Sequence, residues 1–184
     1  KADLKMIYID ETGFNQGLMP LYGYSKVGHH CLVESEANFQ MYMVITAVTK
    51  EKILGFQVFK GSVETSDYGA FLANLVKYNP ELLHERSKYV LFMDNAPIHH
   101  ARNLKPFMKH FNILHGAPYS PFLNPIEEVF STWKHIFRNK FGQNKEISAR
   151  ILESVQEIDE ASLILYLNHS LTFMKDCLDL KRIK

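Results

Sequence analysis

KYVLFMD, residues 88–94, sets five apolar residues in a row between a lysine and an aspartate, with no turn former among them. A short apolar run of this kind, rich in aromatics, reads as a buried strand. KMIYID, residues 5–10, repeats the pattern and also ends in aspartate. A carboxylate at the end of an apolar strand is costly unless it is solvated, paired or bound to a cation. Each aspartate alone also reads as an ordinary turn or cap residue. If the two strands are neighbours, Asp10 and Asp94 sit side by side. Their mutual repulsion raises one pKa unless a divalent cation neutralises them.

Around these strands the chain alternates between two periodicities. QMYMVITAV (40–48) and ILGFQVFK (53–60) read as strands joined by the polar turn TKEK, and Gly61 and Ser62 close a meander with the first strand. ETGF is expected to turn away at Gly13, and Leu21–Val33 to form a twisted hairpin arm. SDYGAFLANLVKYN (66–79) places Tyr68, Phe71, Leu72, Leu75 and Val76 at helical spacing, with Ser66 as its cap. A helix over 102–111 and a strand in NILHGAP (112–118) follow. The loop YSPFLNP (119–125) leads into IEEVFSTWKHIFRNKF (126–141), whose apolar side is Val129, Phe130, Trp133, Ile136, Phe137 and Phe141. From about Ile147 one or two more helices are expected, with Asp159 as an N-cap.

The order is a three-strand antiparallel meander, then two βα units, then extra helices. It predicts an α/β domain with a mixed five-stranded sheet flanked by helices, in the order of the ribonuclease-H-like fold. No repeat, low-complexity tract or linker rich in Pro, Gly or Ser breaks the chain, so residues 1–184 read as one domain.

Composition narrows the classes. Apolar residues make up 46% of the 184, enough for a sizeable core and too many for a disordered chain. No apolar run approaches the ~18 residues of a membrane span, so no membrane partner is expected. The basic start leads straight into a strand, unlike a signal peptide. Cys31 and Cys177 lack a partner motif and read as free thiols. The nine histidines show no zinc-site spacing. Net charge is +1, but residues 101–145 hold seven Lys/Arg against two Asp/Glu, whereas residues 1–100 hold nine against eleven. A basic block of this kind suits a phosphate-binding face, or a solvated helix face.

A third acid lies in that block. Asn124 reads as an N-cap and Pro125 as the first helical residue, placing Glu127 in the first turn. Asn124-x-x-Glu127 also fits a capping box, in which Glu127 reaches back to the Asn124 N–H. Glu127 opens a polar stripe with Ser131, Lys134 and Arg138, off the apolar side. Glu128 competes but lies outside the stripe.

YIDETGF, LFMDNAPIHH and YSPFLNPIEEVFSTWK, taken in order, resemble the three active-site blocks of the mariner and insertion-sequence superfamily of DDE transposases. The third block is the most specific, and 32 residues separate Asp94 from Glu127. The resemblance implies that Asp10, Asp94 and Glu127 are catalytic and bind metal, with His99 and Asn124 supporting them. Loop and helix capping remain open for those two. Lys134 and Arg138 become candidates for DNA phosphates, or solvated charges. The cofactors implied are two divalent ions, Mg²⁺ or Mn²⁺, about 4 Å apart. The partners implied are double-stranded DNA, both transposon ends and target, and a second copy in a homodimer, with a monomer as the alternative. No small-molecule substrate is expected. Localisation follows the host: nucleus, or cytoplasm if bacterial. Such transposases normally carry N-terminal helix-turn-helix modules, and the chain begins nine residues before Asp10, so it reads as an excised catalytic domain or a remnant without its DNA reader. Two other readings share the fold: a structure-selective ribonuclease-H-like endonuclease, and a domesticated, non-enzymatic DNA-binding domain.

Overall fold

The computed structural model of the protein describes residues 4–32, 40–142 and 145–181. Five strands form one sheet: β1 (Lys5–Phe14), β2 (Tyr42–Val48), β3 (Ile53–Lys60), β4 (Tyr89–Met93) and β5 (Ile113–His115), in the order β3-β2-β1-β4-β5. β1, β2 and β3 pair antiparallel, while β4 joins β1 in parallel and β5 joins β4 in parallel. The mixed sheet is therefore the expected one. Parallel neighbours need a crossover, and the chain between β3 and β4 supplies it as α1 (Thr65–Tyr78) and α2 (Glu81–His84).

The period-two alternation of β1 assigns its side chains to two separate cores. Ile7 and Ile9 join Ile45, Ala47, Leu91 and Met93 on the face covered by α1, α2 and α3 (Lys105–Met108). Tyr8 and Phe14 join Val44, Val48 and Phe92 on the other face, under α4 (Ile126–Asn139), α5 (Ile147–Val155) and α6 (Leu163–Leu178). The apolar side of α4 is the keystone of this second core. Trp133 is fully buried, with its ring 5.2 Å from Phe14 and 5.6 Å from Phe56. Its indole N–H donates to Ser154 Oγ at 2.8 Å, so the one polar atom of the ring is satisfied.

Several local expectations differ from the structure. β1 does not turn at Gly13 but runs on to Phe14, because Gly13 pairs with Met43 and Phe14 with Tyr42. Burying Phe14 against Trp133 and Phe137 outweighs the break a glycine suggests. Residues 21–32 form no strand, and Leu21, Tyr22, Tyr24, Val27 and Leu32 are exposed. With no sheet edge pairing them, their strand propensity has nothing to act through. Val33, the end of the expected arm, lies outside the described residues. α1 starts at Thr65, and Ser66 is not its cap. Glu64 is, its N–H accepted by the Asp67 carboxylate at 2.9 Å. The helix expected over 102–111 shrinks to Lys105–Met108. Asp159 does cap, accepting from the Ala161 N–H at 3.0 Å, at the start of the 3-10 turn that leads into α6. Cys31 and Cys177 are unbridged. No helix among the described residues is long and apolar enough to cross a membrane.

Trp133→Ala opens a cavity at the junction of β1, β3, α4 and α5. It should lower the unfolding free energy by about 3–5 kcal/mol, read as an earlier urea midpoint in far-UV circular dichroism.

Candidate active site

The parallel pairing of β1 with β4 fixes the first two acids. Tyr8 stands opposite Phe92, the last pair of that ladder, and Asp10 and Asp94 each follow two residues further along their own chains. Adjacent strands lie about 4.8 Å apart. Asp10 shares the face of Tyr8, towards α4, and the chain returns on that side through the loop before α4. That loop brings Glu127 and Asn124 to the same place. Asp10, Asp94 and Glu127 border one cavity of about 460 Å³, with Asn124, Phe92 and Tyr119 among its other walls.

Asp10 is held from two sides. The Glu11 N–H donates to Oδ1 at 2.8 Å, and Asn124 Nδ2 donates to Oδ2 at 3.1 Å. Its pKa is nonetheless pushed up to about 7, first by burial and then by repulsion from Glu11, Glu127 and Asp94, with the Glu11 N–H opposing. Asp94 lies past the end of β4 and is solvent-accessible. Its Oδ1 accepts from the Ala96 N–H at 3.0 Å and lies 2.9 Å from His99 Nδ1. Partial burial also holds the Glu127 carboxyl above the usual glutamate range; Lys134 pulls it down and Asp94 pushes it up.

The capping alternative for Glu127 is not made, since the Asn124 N–H donates instead to the Pro121 carbonyl at 2.8 Å. Asn124 caps by itself. It is extended (φ −106°, ψ 106°), Pro125 already has helical dihedrals, and the Ile126 N–H donates to Asn124 Oδ1 at 3.4 Å. α4 is accordingly counted from Ile126, the start of the expected helical run, with Pro125 just ahead of it and not its first residue. One buried asparagine thus orders the helix start and holds Asp10. Glu128 faces elsewhere, 2.6 Å from His169 Nδ1 on α6. Lys134 is half-buried beside Glu127 and Arg138; desolvation lowers its pKa, with Glu127 opposing and Arg138 adding to the shift. Of the polar stripe of α4, Glu127 borders the cavity. Among the described residues no three His, Cys, Asp or Glu side chains converge closely enough to hold one ion. The three acids face a shared cavity with Asp94 turned partly into its own loop.

Residues 5–148 match the family described as DDE superfamily endonuclease. The chain belongs to that family. The match begins at the first residue of β1 and ends at the start of α5, so all three acids lie within it. No curated protein matches the chain in sequence. Among solved structures, a pre-cleavage Mos1 transpososome is similar with a TM-score of 0.79 at 18% identity, over 97% of this chain and 57% of that one. A Mos1 mariner paired end complex with Mn gives 0.75 at 19%, over 97% and 56%. The catalytic domain of Mos1 mariner transposase gives 0.70 at 16%, over 97% and 84%. At these identities the likeness establishes the fold, which is ribonuclease-H-like as expected. The chain spans little more than half the length of the first two.

Beside the three acids lies a group of which the sequence singled out only His99. His99 is fully buried, with Nδ1 3.1 Å from the Asp94 carbonyl, its ring centroid 4.7 Å from that of Tyr68, and Nε2 3.5 Å from Glu11 Oε1. Burial disfavours its protonation, but Glu11 and then Asp94 outweigh this, and its pKa is raised. His99 was an expected support. Glu11 and Tyr68 were not, although alternation along β1 already places Glu11 on the face opposite Asp10.

A raised carboxyl pKa destabilises the fold once the group ionises. Asp10 contributes most below its unfolded value of 3.8, and that contribution is lost as pH rises through about 7. Asp10→Asn cannot ionise. In EDTA, urea denaturation should show the variant gaining on wild type from about pH 4 upward and exceeding it by at least about 1 kcal/mol near pH 8.

Proposed function

We propose that this chain is the catalytic domain of a DNA transposase. It cleaves phosphodiesters at transposon ends and joins the freed 3′-hydroxyl to target DNA, using divalent metal. The observation that carries this reading is that Asp10, on β1, Asp94, just past the end of the neighbouring parallel strand β4, and Glu127, in the first turn of α4, border one cavity. Family membership supports the nuclease chemistry. The fold shared with a transpososome supports transposition over a plain nuclease.

The donor set fits a hard cation. All three groups are carboxylates, suited to Mg²⁺ or Mn²⁺, and after burial the charges of Glu11, Glu127 and Asp94 add to the raised pKa of Asp10. Asp10, Asp94 and Glu127 would hold two such ions. What the ions supply when bound is activation of the attacking oxygen and charge stabilisation at the leaving oxygen. The rest falls to the chain. Asn124 keeps the Asp10 carboxylate aimed into the cavity, and the β1–β4 register fixes its separation from Asp94. Closing the set requires side-chain rotation at Asp94, whose Oδ1 is turned to the Ala96 N–H and His99 Nδ1. Lys134 and Arg138, leading away from Glu127 along α4, contact phosphates of double-stranded DNA. Pairing two ends requires a second copy of the protein, as a homodimer. The enzyme acts where its host keeps DNA: the nucleus, or the cytoplasm of a bacterium.

Asp94→Asn should abolish Mn²⁺-dependent nicking of supercoiled plasmid while leaving the melting temperature near wild type. Nicking by that variant at the wild-type rate would refute the site. Joining of a duplex with a free 3′-hydroxyl to the plasmid tests the second step, and nicks without joined products would make the protein a nuclease instead. Lys134→Ala and Arg138→Ala should each weaken DNA binding and reduce the slope of log K against log salt by about one.

A further inference from the structure

Glu11 occupies a position where an apolar residue would serve the fold better. It follows Ile7 and Ile9 on the α1 face of β1, and its side chain is only 16% exposed. A carboxylate so placed is costly unless partnered. Among the described residues no lysine or arginine pairs with it; the contact it makes is with His99 Nε2, at 3.5 Å. That spacing is longer than a strong hydrogen bond. The ring is fixed on its other sides. It is fully buried, Tyr68 packs against its face, and Nδ1 lies 2.9 Å from Asp94 Oδ1 and 3.1 Å from the Asp94 carbonyl. A carboxylate on the far face of the sheet, a buried imidazole and an acid of the cavity are thus linked in one line between β1 and β4. Outer groups of this kind orient metal-binding carboxylates, and losing one typically costs 10–100-fold in metal affinity.

We propose that Glu11 is a positioning residue for Asp94: acting through His99, it sets the orientation in which the Asp94 carboxylate meets metal. This rests on the reading of Asp10, Asp94 and Glu127 as metal-binding acids. The neighbouring acids 10 and 11 then divide the work by strand alternation. Asp10 enters the cavity directly, and Glu11 acts on Asp94 from behind the sheet.

The test compares Mn²⁺ affinity, followed by the electron paramagnetic resonance signal of free Mn²⁺, with thermal stability in the whole chain without DNA. Glu11→Leu fills the same space and continues the apolar row. It should melt no lower than wild type yet bind Mn²⁺ about 10–100-fold more weakly. Glu11→Ala should show the same loss of affinity. Glu11→Gln, which keeps an acceptor for Nε2, should recover most of it. Wild-type affinity in a folded Glu11→Leu or Glu11→Ala would overturn the proposal and leave the triad standing. Parallel loss of affinity and melting temperature in all three variants would also overturn it, since a merely structural glutamate behaves so. A wild-type chain whose Mn²⁺ binding is absent, or is unchanged by Asp94→Asn, would remove the triad and this role together.

Discussion

The pairing of β1 with β4 in parallel is the constraint on which the remainder of the molecule depends. Because side chains alternate strictly along a strand, setting Tyr8 opposite Phe92 determines at once which residues enter each core and which acids meet. A slip of one residue would turn Asp10 into the α1 core and Ile9 into the cavity. The register is protected by apolar residues on both faces: Ile7, Ile9, Leu91 and Met93 on one side, Tyr8 and Phe92 on the other. Sheet burial that looks purely structural is therefore what brings two carboxylates to one cavity.

The third acid depends on a different interaction. Glu127 stands in the first turn of α4, and α4 is held over the sheet by Trp133, Phe137 and Val129. Arg150 secures the far end of that packing, donating to the Phe137 carbonyl at 3.2 Å with its guanidinium 4.2 Å from the Phe137 ring centroid. At the near end, Asn124 ties the helix start to Asp10. Helix position and strand register thus meet at one asparagine. The cavity is set by the packed core on one side and by the proline-rich loop on the other.

Electrostatically the site works against the fold. Asp10 is buried among Glu11, Glu127 and Asp94, and its carboxyl is driven up towards neutrality. Stability alone would not gather four acids in this way. The arrangement has physical sense when a cation compensates it, and that is why the acids, more than the basic residues of α4, carry the functional reading. Arg138 and Lys134 lie along a helix face, where charges are common, although Lys134 is partly desolvated there.

Much of this was legible in the chain itself. The apolar runs at 5–10 and 88–94 marked their strands, the spacing of Val129, Trp133 and Phe137 marked α4, and the block from Ser120 to Trp133 marked the family. Those signals are local: side-chain periodicity and capping chemistry act within a few residues. Tertiary structure decided what locality cannot. It carried β1 through Gly13 so that Phe14 could reach Trp133, left residues 21–32 without strand partners, and chose Glu127 over Glu128 by turning the latter to His169. It also brought Glu11, on β1, against the stretch after β4 that holds both Asp94 and His99. Their contact follows from strand order and register, which arise only when distant segments pack, so the sequence determined the elements and the acids while the packed sheet determined which acids meet.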